Sequence, residues 1–80
     1  MRLSIYSPKK VLYEGEVASL NCKTTSGEIT ILDHHRPLIS ILARGTIKIL
    51  DKNEKEGYIP ISSGFIEVRA DNRAQLIVEE

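Results

Sequence analysis

Nowhere in this chain do ten consecutive residues place their apolar side chains at helical spacing. Short runs that alternate apolar and polar residues recur instead, about every 8–12 residues, with Gly, Pro, Asn and Asp gathered between them. A chain built this way has only strands with which to bury its apolar faces. It is expected to be all-β, a small antiparallel β-sandwich of two sheets with short strands and no C-terminal helical hairpin. Eighty residues make one domain, 1–80. A chain this short buries only about 60% of its unfolded surface, so support from a partner would help it.

Met1, Leu3 and Ile5 are expected to face inward, with Arg2, Ser4 and Tyr6 outward. Ser7-Pro8-Lys9-Lys10 turns the chain into a short strand, Val11-Leu12-Tyr13, which Glu14-Gly15 ends. Gly15 reads as a hairpin or bulge position needing positive φ. From Glu16 to Thr24, Ala18, Leu20 and Cys22 share one face, and Val17, Ser19, Asn21 and Lys23 the other. Ile29 and Ile31 point together in the next strand. Leu38-Ile39-Ser40-Ile41-Leu42 is nearly continuous apolar sequence, and its β-branched residues favour a buried strand over a helical turn.

Ile47 and Ile49 are expected inward and Lys48 outward, before the charged, solvated loop Asp51–Gly57. Pro60 confines Tyr58-Ile59-Pro60-Ile61 to an edge or a bulge, because a central strand would need the missing N–H. Ser62-Ser63-Gly64 is a turn or bulge. Ile66, Val68 and Ala70 then share a face, and Ala74–Val78 forms the last strand.

Composition excludes more than it selects. Eleven basic and eleven acidic residues cancel, which removes the net positive charge that nucleic acid requires. Four aromatics without Trp offer little to stack on bases. Cys22 stands alone, as a small buried hydrophobe would. No signal peptide or membrane-spanning run is visible, so a reducing, cytosol-like compartment fits best. Asp33-His34-His35 has metal-binding residue types, but neighbours in an extended chain point apart and no other His completes a set. There is no nucleophile elbow and no phosphate loop. The residues describe an interaction module with no cofactor, not an enzyme.

The densest stretch is Ser26–Leu38. A Ser-Gly turn opens it, Glu28–Ile31 alternates, and both histidines and Pro37 crowd into one connection. Such a loop is a natural place for a binding surface. Gly27-Glu28-Ile29-Thr30-Ile31-Leu32 with His35-Arg36-Pro37-Leu38 resembles the signature loop of one family. So do Leu3–Pro8, Leu12–Val17, Gly45–Ile49 and Ser62–Val68, in order and spacing. The whole chain is similar to the N-terminal β-sandwich domain of the epsilon subunit of rotary F-type ATP synthases, named delta in mitochondria. It departs from that pattern at Thr30, Asp33-His34 and Arg36.

The resemblance implies a non-catalytic rotor subunit on the central stalk, docked on the gamma subunit and the polar loops of the c-ring. It would support coupling of proton or sodium transport to ATP synthesis. It would lie at the cytoplasmic face of the membrane, touching it only through the complex. It assigns Ser26, Gly27, Glu28 and Ile29 to the ring, with His35, Arg36, Pro37 and Leu38 close by. The competing expectation, from the residues alone, is a small β-barrel that binds nucleic acid or an oligosaccharide.

Overall fold

The computed structural model describes all eighty residues, 1–80, as eight strands without a helix. They are β1 (Arg2–Tyr6), β2 (Val11–Thr24), β3 (Gly27–Leu32), β4 (Leu38–Leu42), β5 (Gly45–Asp51), β6 (Glu56–Ile61), β7 (Ser63–Arg69) and β8 (Arg73–Glu79). No helix is long and apolar enough to cross a membrane.

The strands form two layers that share β2. Its first half pairs with β1, and its second half lies between β3 and β5. One layer therefore runs from the start of β2 through β1, β8 and β7 to β4; the other is β3, the end of β2, β5 and β6. All pairings are antiparallel except β1 with β8. A single bridge, Thr24 to Leu42, ties β4 back to β2 and closes one corner. As expected from Pro60, β6 is an edge strand, paired only with β5.

Between the layers lie Met1, Leu3, Ile5, Leu20, Ile31, Ile47, Ile49, Ile66, Val68 and Leu76, with their buried neighbours. Each fully buried aliphatic side chain of this kind stabilises the fold by about 1.5–3 kcal/mol. The inward sets read from β1, β5 and β7 are the ones observed, apart from Ala70, which is exposed in the turn beyond β7.

Three other expectations are corrected. The second strand does not stop at Gly15: β2 runs unbroken for 14 residues. Gly15 has no positive φ and pairs with Leu3; a Cβ there would meet the Tyr13 hydroxyl at 3.6 Å and its ring at 3.8 Å. The face assignment in β2 also changes. The register against β5 steps from Val17–Asp51 to Ser19–Leu50, so Ala18 is an extra residue. This bulge turns both Val17 and Leu20 inward and leaves Ala18 half-buried. Finally, β4 is a strand but not a buried one. Leu42 enters the core, whereas Ile39 and Ile41 are 75% and 63% exposed.

Candidate docking surface

The outer face of the β1-β8-β7-β4 layer carries an apolar row. Ile41 pairs with Phe65, Phe65 with Ile77, Ile77 with Tyr6, and Tyr6 with Val11. Alternation forces Ile41, Phe65, Ile77 and Tyr6 outward, because Leu42, Ile66, Leu76, Val78 and Ile5 beside them fill the core; Val11 joins them across a register shift in the β1–β2 pairing. Ile41, Phe65, Ile77 and Val11 are exposed and Tyr6 is half-buried. Ile39 extends the patch by one row. Contiguous exposed apolar surface of this kind marks a contact with another molecule.

The near-continuous apolar run Leu38–Leu42 predicts a buried strand, with Ile39 and Ile41 in the core, and does not by itself point to the row. Its signal was available only in part: apolar residues at both phases of Leu38–Leu42 and at Phe65-Ile66 and Leu76-Ile77-Val78 mean that one phase of each must face out.

The β2–β3 hairpin tip lies at the same end as the apolar row. Thr25 donates its N–H to Ile41 O at 3.0 Å. The buried Thr24 hydroxyl donates to Gly27 O at 2.7 Å and accepts from Ser26 N at 3.1 Å. Gly27 adopts φ 127°, which only glycine tolerates readily. Ser26, Gly27 and Glu28 are thereby held out in solvent, while Ile29 is half-buried against the core. Glu28 borders an open polar groove with Thr30, Lys48 and Glu56. In that groove Glu56 accepts from the Tyr58 hydroxyl at 2.6 Å and sits 3.4 Å from Lys48 Nζ. Those two contacts lower the Glu56 pKa, the Tyr58 hydrogen bond having the larger effect.

His35, Arg36, Pro37 and Leu38 lie elsewhere. They follow the far end of β3, so the six-residue strand separates them from the tip. The expectation that the two groups are close together is thus corrected. His35 is half-buried, with Nδ1 2.7 Å from Arg36 O, and Leu38 packs on the core.

What shapes this second end is Asp33. Its carboxylate accepts from the α-amino group of Met1, from Lys52 Nζ at 3.0 Å, and from Asn72 Nδ2 at 3.4 Å. Asn72 Oδ1 in turn accepts from His34 N at 2.7 Å, and both His34 and Asn72 have positive φ. The α-amino contact above all, then Lys52, holds the Asp33 carboxyl well below the usual carboxylate range. Asp33 is therefore engaged in joining three connections and the first strand. Cys22 is buried, and burial pushes its thiol up to about 11, so it is a core residue rather than a nucleophile.

Residues 1–80 match the family model described as ATP synthase, Delta/Epsilon chain, beta-sandwich domain. The chain belongs to this family. Its relatives include the ATP synthase epsilon chain of Leptospira borgpetersenii, 39% identical over 79 residues, covering 99% of this chain and 61% of that one. The epsilon chain of Shouchella clausii is 39% identical over 72 residues, covering 90% of this chain and 53% of that one. The domain thus spans less than two thirds of those relatives' length. In fold it is similar to a chain of the Euglena gracilis mitochondrial ATP synthase, OSCP/F1/c-ring, with a TM-score of 0.92 at 23% identity, covering 98% of this chain and 49% of that chain. A chain of the Tetrahymena thermophila mitochondrial ATP synthase central stalk and c-ring superposes with a TM-score of 0.85 at 20% identity, covering all of this chain and 63% of that one. These likenesses establish the β-sandwich.

Proposed function

We propose that the domain is a non-catalytic part of a rotary ATP synthase rotor, docking on the gamma subunit and the c-ring to support coupling of ion transport to ATP synthesis. The observation that carries this is the apolar row Ile41-Phe65-Ile77-Tyr6-Val11, a solvated sheet face with no folding reason to be apolar. Family membership supplies the partner class. In this reading the row packs against gamma, and the Ser26-Gly27-Glu28-Ile29 tip reaches the polar loops of the ring. His35-Arg36-Pro37-Leu38, at the other end, faces a different part of the stalk. The domain sits peripherally at the cytoplasmic face, meeting the membrane through the complex.

The test is binding of Ile41→Asp and Phe65→Asp variants to a purified gamma–c-ring complex. Both residues are exposed, so the fold should survive while binding is lost. Binding equal to that of the parent chain would overturn the reading.

A further inference from the structure

The face that holds the apolar row is banded by charge. One residue pair along the strands from that row, Ile39, Glu67, Gln75, Ser4 and Glu14 stand side by side across the layer. One pair further, Arg69 faces Arg73, Arg73 faces Arg2, and Arg2 faces Glu16. All three arginines are exposed. Successive bands are about 7 Å apart, two residues of extended chain.

Folding gives no reason for the arginine band. Like charges directly opposite each other on neighbouring strands destabilise a sheet. The chain compensates them weakly: Glu67 lies 3.7 Å from Arg69 and Asp71 3.4 Å from Arg73, both as exposed pairs. Glu16, opposite Arg2, lies 3.6 Å from the α-amino group instead, and Arg2 makes no ion pair.

We propose that this face docks a protein surface with three matching bands: apolar against Ile41-Phe65-Ile77, basic against Glu67 and Glu14, and acidic against Arg69-Arg73-Arg2. The inference rests on the rotor reading above and deepens it by stating the charge pattern of the partner. Charge complementarity selects a protein over a membrane or a nucleic acid. A continuous anionic surface that met the arginines would also meet Glu67 and Glu14, about 7 Å away and within one Debye length. Only a partner that changes sign at the same interval satisfies both bands. The arrangement also fixes orientation, since a half-turn about the face normal would set the apolar row against the partner's acidic band and leave the arginines buried against its apolar band.

The experiment measures affinity for the purified gamma–c-ring complex across a salt series, using the parent chain, Arg69→Gln/Arg73→Gln and Glu67→Gln/Glu14→Gln. Thermal melts of each variant confirm folding. Both double variants are expected to bind about tenfold more weakly at low salt, and both gaps should narrow as salt rises. Vesicles of anionic lipid form the second arm, where the expected result is no binding by the parent chain. Stronger binding of the Glu67→Gln/Glu14→Gln variant to either target would mean a continuous anionic partner and overturn the proposal. If the arginine variant binds the complex like the parent while Phe65→Asp abolishes binding, the banding is wrong and the rotor reading stands. If Phe65→Asp also binds normally, both fail.

Discussion

Glu28 and His35 stand at opposite ends of β3: about 13 Å of extended strand separates Glu28 from Leu32, and His35 lies in the turn beyond, its N–H donated to Leu32 O at 3.2 Å. Glu28 sits beside a hairpin tip fixed by Thr24 and Gly27; His35 sits in a loop pinned through Asp33. One small contact cannot engage both, so the two positions are separable by mutation.

Glu28→Lys should weaken assembly onto a gamma–c-ring complex and leave the melting temperature nearly unchanged, because exposed substitutions move stability by less than about 0.5 kcal/mol. His35→Ala should leave that same ring contact intact. A pull-down of both variants decides the matter, and parent-like recovery of Glu28→Lys would remove the tip from the interface.

The core prediction concerns Ile49, which is 2% exposed and packs between the layers. Ile49→Ala should cost about 2–5 kcal/mol. For a domain this size each kcal/mol lowers the melting temperature by about 4–8 °C, so the variant should be partly unfolded near body temperature. Calorimetry that found an unchanged transition would mean that β5 presents its other face.

Much of this was legible because alternation is a local signal. Leu3 and Ile5, Ile47 and Ile49, and Ile66 and Val68 each announce a face within a few residues, and the core uses those faces. The bulge at Ala18 was not legible: it exists only as a mismatch between β2 and β5, two strands more than twenty residues apart. The apolar row escaped for a related reason. Exposed Ile41 and buried Leu42 look alike in sequence, and the row assembles residues from β1, β2, β4, β7 and β8. The tip at Ser26–Glu28 was visible from its turn chemistry. The Asp33 contacts were not, because their partners come from residues 1, 52 and 72.

Gly64 is the glycine that sequence pattern marked as a turn and that the structure shows to be a close approach. It has φ 155°, and a Cβ there would lie 2.5 Å from Ile77 O and 2.9 Å from Val78 Cα. Both obstacles are backbone of β8 and cannot rotate away. Gly64→Ala should therefore destabilise by about 2–3 kcal/mol and disturb the Phe65–Ile77 pairing of the apolar row. Equilibrium urea unfolding reads the first effect. A variant as stable as the parent would show that β7 and β8 separate at this end without cost.

The last prediction is a pH dependence set by Asp33. Its carboxyl is depressed in the folded protein, chiefly by the α-amino group and next by Lys52, while in the unfolded chain it titrates near 4. A depressed acid binds fewer protons folded than unfolded. Its contribution is therefore complete above about pH 4 and is lost as pH falls from there toward the lower folded value. Asp33→Asn removes the charge at every pH. Urea midpoints measured from pH 7 down to pH 2.5 should show the parent more stable at neutrality, with its advantage over the variant shrinking below about pH 4. The amide signals of His34 and Asn72 should shift in the variant at neutral pH, since their hydrogen bond hangs from the same cluster. Parallel curves across the whole range would mean that the carboxylate does not hold this end of the sandwich together.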